Sequence, residues 1–275
     1  MPAPVILVTG STDGIGKAMV RKLADSDAEI IIHGKDSVKG RETIREIKGL
    51  SWNRNIDLII ADFSIQEEVR RMAEEIRTRY NRISVLVNNA GTYEKNRTLT
   101  PDSIERTFAV NYLAPFILTH ELLPLLKRSA PSRVVNVASI AHRDVREIDW
   151  NNLQGEKNYD AFGAYALSKF ADITFTYTLS ERAGTSRITV NCLHPGVIAT
   201  KLLHAGFPGI RGKPPSEGAR IPLFLALSPE AAGITGKYFE ENIRPVPSSA
   251  LTYDKDVRSR LWKVAEDLTW IGKEL

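Results

Sequence analysis

The stretch Val5-Ile-Leu-Val-Thr-Gly10-Ser-Thr-Asp-Gly14-Ile-Gly16-Lys-Ala-Met-Val20 decides the fold. Val5–Val8 reads as a strand buried on both faces, and the segment near 15–26 reads as a helix. Between them Gly10 permits a tight turn. Gly14 lets the backbone approach a pyrophosphate, and Gly16 lets the helix pack closely on the strand. A helix N-terminus presents N–H groups and a partial positive charge to phosphates. Gly10, Ser11, Thr12, Asp13, Gly14, Ile15 and Gly16 are therefore the first candidate cofactor contacts. A plain turn can also hold three glycines, so the reading needs support from the rest of the chain.

Working outward, short β-branched runs recur at Ile30–Ile32, Leu58–Ala61, Val85–Val87, Val134–Val137 and Ile188–Leu193. Helical segments near 37–48, 66–80, 102–127 and 160–183 separate them. In the segment near 66–80, Val69, Met72, Ala73, Ile76 and Tyr80 recur every three or four residues among charges, an amphipathic pattern. This alternation predicts an α/β fold, a Rossmann-type doubly wound parallel sheet with right-handed crossovers. After residue 196 the pattern loosens. Residues 199–215 read as a mobile loop with a short helix. A helix near 216–228, a strand near Lys237–Phe239 and an amphipathic helix near 254–270 follow. The 275 residues read as one domain with a C-terminal helical extension.

Composition narrows the function. The apolar fraction of 43% and charged fraction of 25% are those of a globular enzyme. The net charge is +4, but Lys and Arg are scattered without a basic run or an aromatic ladder, so no nucleic-acid partner is expected. The single cysteine, Cys192, excludes an internal disulfide and sits in a strand run as a core residue. The histidines are dispersed and no His, Glu or Cys cluster has metal spacing, so no metal is expected. No Gly-x-Ser-x-Gly elbow occurs, which argues against a hydrolase. No basic n-region precedes Val5 and no apolar stretch approaches bilayer length, so a soluble, cytoplasmic protein without membrane contact is expected.

Chemistry enters with Tyr165-Ala-Leu-Ser-Lys169. Residues at i and i+4 share a helix face, so phenol and ammonium point the same way. A phenol is a poor base at neutral pH, and a fixed cation beside it favours the phenolate. Tyr165 is thus a candidate general acid/base and Lys169 its tuner. The pair alone carries little; its companions carry more. Asn88-Asn-Ala90-Gly91 follows the fourth strand, Ser139 the fifth and Pro195-Gly196-Val197 the sixth. Asn111 falls inside a helix, where Asn is unfavourable unless its side chain is employed. These positions cluster at the carboxyl ends of strands, where open α/β sheets bind ligands.

The spacing Thr9-Gly10-x-x-x-Gly14-x-Gly16, with Asn88-Asn-Ala-Gly91, Ser139 and Tyr165-x-x-x-Lys169 in that order, resembles the short-chain dehydrogenase/reductase family. The resemblance implies a hydride moving between a nicotinamide and a substrate carbon. It makes Asn111, Ser139, Tyr165 and Lys169 the catalytic tetrad. Tyr165 would pass the proton, Ser139 would hydrogen-bond the reacting oxygen, Lys169 would also hold the nicotinamide ribose, and Asn111 would position a proton-relaying water. Asp62 and Phe63 would meet the adenine, Asn88, Ala90 and Gly91 would help hold the cofactor, Pro195, Gly196 and Val197 would flank the carboxamide, and Thr200 would serve the phosphates. Asp62 reads equally well as the cap of the next helix. Relatives that are epimerases, dehydratases or non-catalytic dinucleotide sensors share parts of the pattern, but differ in glycine spacing or lose the Tyr/Lys pair.

Asp149-Trp-Asn-Asn-Leu153, Glu217-Gly-Ala219, Leu227-Ser-Pro-Glu230, Gly236-Lys-Tyr-Phe239 and Leu261-Trp262 with Leu268 resemble the retinol-dehydrogenase-like branch. That branch implies a lipophilic carbonyl or alcohol as the small-molecule substrate. The sequence lacks the N-terminal hydrophobic anchor that many members carry. Leu202, Leu203, Phe207 and Ile210 are expected to line the pocket with Ser139 and Tyr165. The family also implies a homodimer through the two long helices; Phe170, Ile173 and Thr174 read either as the available face or simply as core. The second strand ends His33-Gly34-Lys35-Asp36. A carboxylate there accepts the ribose hydroxyls of NAD, and a cation accepts the extra phosphate of NADP. Gly34 in the acid's place, with Lys35 next and His33 in support, predicts a preference for NADP(H), with NAD(H) possible; Asp13 and Asp36 oppose it.

Overall fold

Val5–Val8 forms β1, and all four of its side chains are buried. The computed structural model describes residues 3–241 and 243–272. Around β1 stand β2 (Glu29–Gly34), β3 (Ile56–Ile60), β4 (Val85–Asn88), β5 (Ser132–Val137), β6 (Ile188–Leu193), β7 (Lys237–Glu240) and β8 (Arg244–Val246) in one sheet, ordered β3-β2-β1-β4-β5-β6-β7-β8. Every pairing from β3 to β7 is parallel, and β8 returns antiparallel on β7. The strand order reverses direction between β1 and β4, the crevice where doubly wound sheets bind ligands.

Helices cover both faces. On one side α1 (Gly14–Leu23), α2 (Ser37–Leu50) and α9 (Arg220–Leu227) cover a core that includes Ile6, Val8, Ile30 and Ile32. On the other lie α3 (Gln66–Arg79), α4 (Arg106–Phe108), α5 (Ala114–Arg128) and α6 (Ala161–Ala183), around Leu7, Leu86, Val134 and Phe170. Between α4 and α5 the chain makes a π-turn at Ala109–Leu113 without leaving the helix. Contrary to the expectation that no stretch approaches bilayer length, the segment Arg106–Arg128 is long and apolar enough to cross a bilayer by composition. Here it is a core helix, with 83% of its most apolar window buried.

The loop expected over 199–215 is more regular than its glycines suggest. It contains α7 (Lys201–Gly206) and leads into α8 (Pro215–Gly218). Its base is pinned where the Ala199 amide donates to Lys213 O at 2.8 Å and the Lys213 amide donates to Val197 O at 2.8 Å. Strand β8 was not anticipated, because a three-residue edge strand containing Pro245 has no β signature.

The expected pairing face lies in the core, and α10 (Lys255–Thr269) packs beside it. Phe170, Ile173 and Thr174 are all buried within the chain. Trp262 of α10 packs edge-on to Phe116 at 5.0 Å and lies 5.9 Å from Phe175, while Tyr112 donates its hydroxyl to Leu261 O at 3.0 Å. Those three residues are core, and α10 covers a neighbouring part of the same layer at Tyr112, Phe116 and Phe175.

Candidate active site

The glycine loop is shaped by contacts that tolerate no side chain. Gly10 has φ +61°, and a Cβ there would meet Ala90 Cα at 2.8 Å. A Cβ on Gly16 would meet Gly10 O at 2.5 Å, so this glycine serves packing and stands back from the cleft. Ser11 is also turned inward: its hydroxyl donates to Val8 O at 2.7 Å and accepts the His33 amide at 3.0 Å. Asp13 caps α1 by accepting the Gly14 amide at 2.8 Å. It pairs with Lys39, and with Lys201 of α7 at 3.2 Å. Burial raises this carboxyl, but Lys39, the Gly14 amide and Lys201 outweigh it and hold it down at about 2.

From the loop a cleft of about 820 Å³ runs along the carboxyl ends of the strands, a size that suits a ligand site. It is lined by Thr12, Asp13, Gly14 and Ile15, then Lys35, Asp62 and Phe63, then Ala90 and Gly91, and ends at Ser139, Tyr165 and Lys169 beneath Pro195, Gly196, Val197 and Thr200. Two further sequence candidates stand off it. Asn88 is buried, with its amide donating to Thr119 Oγ1 at 3.1 Å and Asn136 Oδ1 at 2.8 Å. Its neighbour Asn89 lines the cleft instead. Asn111, at the centre of the π-turn, is fully buried. Its Oδ1 accepts the Thr92 amide at 2.7 Å, and its Nδ2 donates to Thr92 O at 3.0 Å and Ser168 Oγ at 2.9 Å. That side chain braces the loop after Gly91.

His33 also does a different job from the one expected. It lines the cleft but is 3% exposed, stacks on Phe63 at 4.1 Å, accepts the Gly10 amide on Nδ1 at 3.1 Å and donates from Nε2 to Ala61 O at 3.0 Å. Burial pulls it down to about 4, so it is a neutral strut and supplies no positive charge to a phosphate. Asp36, expected to repel a phosphate, caps α2 by accepting the Val38 and Lys39 amides. Asp62 accepts the Ser64 amide at 2.9 Å and lines the cleft, and the N-cap of α3 is Ile65.

The catalytic end is held from several sides. Ser139 ends the β5 strand loop and caps a short 3-10 turn, its Oγ accepting the Ala141 amide at 3.2 Å. His142 donates from Nδ1 to Ser139 O at 2.7 Å and accepts the Ser249 amide on Nε2 at 3.1 Å, tying the serine to the C-terminal segment. Tyr165 is 6% exposed, and among the described residues no protein group hydrogen-bonds its hydroxyl. Around it stand Tyr93 at 5.6 Å and Phe207 at 6.4 Å, with Phe162 6.0 Å from Phe207. Leu202, Leu203, Phe207 and Ile210 are all among the residues lining the cleft. Tyr93 and Phe162 were missed. Tyr93 lies in a loop, and Phe162 stands in the first turn of α6, a helix apolar nearly all round, so neither ring gives a sign of the direction it faces.

This arrangement defines a class before any relative is consulted: a dinucleotide-sized crevice with a Ser, Tyr and Lys at one end. The model of short chain dehydrogenases matches residues 4–209. The chain belongs to the short-chain dehydrogenase/reductase family, within its retinol-dehydrogenase-like branch, and is an oxidoreductase acting on CH–OH groups. It is 34% identical to human retinol dehydrogenase 13 over 100% of this chain and 86% of that one. It is 35% identical to human retinol dehydrogenase 11 over 98% and 86%. An uncharacterised protein from Mycobacterium paratuberculosis superposes with a TM-score of 0.82 at 27% identity, covering 99% of this chain and 95% of that one. A short-chain dehydrogenase from Escherichia coli CFT073 complexed with NADPH has a TM-score of 0.71 at 28% identity, covering 86% and 96%.

Proposed function

We propose that this protein prefers NADP(H) and interconverts a lipophilic aldehyde or ketone and its alcohol, with Tyr165 as general acid/base. The observation that carries the reading is the meeting of Ser139, Tyr165 and Lys169 at one end of the crevice whose other end is the glycine loop. When bound, a nicotinamide dinucleotide supplies or accepts the hydride. The chain's own residues do the rest. Ser139 Oγ hydrogen-bonds the substrate oxygen where charge develops. Tyr165 Oη gives that oxygen a proton in reduction and takes it back in oxidation. Lys169 supplies a fixed positive charge beside the phenol and a donor for the ribose hydroxyls.

The cofactor preference rests on the end of β2. A side chain at position 34 would meet Thr12 Cγ2 at 2.6 Å, so glycine there lets Thr12 fill the place where an NAD-type carboxylate would stand. Lys35 and Lys39 line the cleft beside it, and three of the similar structures are complexed with NADPH or NADP. The substrate class rests on Tyr93, Phe162, Leu202 and Phe207 around Tyr165, and on relatives named as retinol dehydrogenases. A panel of aldehydes, ketones and alcohols assayed with both dinucleotides tests the reading. Turnover of apolar carbonyls with NADPH supports it, and no dinucleotide-dependent turnover of any panel member rejects it.

A further inference from the structure

Helix α6 runs through the interior from Phe170 to Phe175, and every side chain of that run is buried. A lone carboxylate in such a place is expensive unless it is paired. Asp172 is 3% exposed and has a partner: its Oδ2 lies 3.0 Å from Lys169 Nζ, one turn back on the same face. Lys169 is 5% exposed, and its ammonium also donates to Val137 O at 2.9 Å, two residues before Ser139. An ammonium has three protons. Two are engaged by Asp172 and Val137, which leaves one for the cleft that Lys169 lines beside Gly91.

We propose that Asp172 is a positioning residue of the oxidoreductase site, whose carboxylate holds the Lys169 ammonium against Val137 and offsets part of the charge that Lys169 presents to Tyr165. The inference rests on the acid–base reading above. Asp172 does not line the cleft, so it acts through Lys169 alone. An unshared ammonium favours an adjacent phenolate strongly, and a carboxylate behind it weakens that preference. A weaker preference suits a tyrosine that must return its proton as well as take it.

The groups facing Asp172 are Lys169 on its own helix, Tyr112 from the π-turn and Cys192 from β6. Burial pushes Tyr112 and Cys192 far above their ordinary values, so Lys169 is the charge that meets the carboxylate. Burial pushes Asp172 up to about 6, with Lys169 opposing. The ammonium is therefore shared at pH 7 and above, and unshared well below pH 6.

The test compares full-length wild type with Asp172→Asn, which keeps shape and removes charge, and Asp172→Ala, which removes both. Two readouts are taken: the NADPH dissociation constant from its own fluorescence, and the pH profile of single-turnover alcohol oxidation. In Asp172→Asn the rise of the oxidation rate with pH moves towards acid by roughly one unit, with the substrate KM within about twofold. In Asp172→Ala the untethered Lys169 weakens NADPH binding by roughly tenfold. Lowered melting temperatures with an unmoved pH profile and unchanged NADPH binding mean a purely structural pair and overturn the proposal. Should neither variant fold, wild-type NADH binding decides, because NADH lacks the 2′-phosphate that itself titrates at about pH 6: a break near pH 6 supports the proposal, and a flat line from pH 5 to 7 overturns it. Failure of turnover in wild type itself strikes the acid–base reading instead, and the binding measurements still judge Asp172.

Discussion

His33 Nδ1 accepts the Gly10 amide at 3.1 Å, so the end of β2 holds the first turn of the glycine loop. The phenyl ring of a His33→Phe variant keeps the stack on Phe63 but leaves the Gly10 N–H and the Ala61 carbonyl unpaired. Each unpaired buried group costs about 1–3 kcal/mol. The variant is expected to melt several degrees lower and to show a higher KM for either dinucleotide. A melting temperature and KM equal to wild type contradict the strut role.

The same burial sets a pH dependence of stability. Burial pulls His33, His120 and His194 each down to about 4, from an ordinary value near 6.5. Their folded values lie below their unfolded ones, so the unfolded chain binds protons first. Their contribution is complete above pH 6.5 and is lost as pH falls towards 4. Asp172, raised to about 6, acts in the opposite sense by gaining a proton more readily in the folded state. Burial also lowers His142, so four histidines oppose one carboxylate, and the expected result is a steep fall in melting temperature between pH 6.5 and 4. A flat melting temperature across that window counts against the buried-neutral assignment.

Lys35 and Lys39 are assigned to the 2′-phosphate. Asp13 already holds Lys39 at the rim of the cleft. A charge-assisted hydrogen bond to phosphate is worth about 1.5–3 kcal/mol. Lys35→Ala and Lys39→Ala should therefore each raise KM for NADPH by about 10- to 100-fold and leave NADH nearly unaffected. Equal effects on the two dinucleotides, or a wild-type preference for NADH, reject the assignment.

Phe207 follows α7 and lies 5.6 Å from Tyr93, so the two rings wall the space around Tyr165. Phe207→Ala removes one wall. We expect kcat/KM for a large apolar aldehyde to fall about tenfold, from lost apolar burial, with a smaller change for acetaldehyde. Amide exchange across 199–215 should slow when cofactor and a good substrate are both present. A uniform loss for large and small substrates would mean that Phe207 only packs the loop.

Much of this was legible because β-branched runs such as Ile30–Ile32 are buried on both faces and read as parallel strands. The Tyr165-x-x-x-Lys169 spacing was legible for the same kind of reason, since helix periodicity alone puts both on one face. Direction was not legible where no period governs it. Asn88 and Asn89 are adjacent, yet one faces the core and the other the cleft. The inward turn of His33 depends on Gly10 and Ala61, residues far away in sequence. Phe170 and Ile173 are buried in two different clusters, Ile173 beside Cys192 and Tyr238, and α6 is apolar nearly all round, so its own pattern does not separate core from pairing face. Asp172 was readable only as a polar residue in an apolar run.

The central claim is that Tyr165 passes the proton while a hydride moves at the adjacent carbon. Single-turnover oxidation of NADPH by an apolar aldehyde, measured for wild type and Tyr165→Phe at equal dinucleotide saturation, tests it most directly. The substitution removes one hydroxyl that no protein group engages among the described residues, so the fold and NADPH binding should persist. The account predicts a rate lower by roughly 10²- to 10⁴-fold, the range for loss of a general acid/base. A variant that oxidises NADPH at the wild-type rate would contradict it.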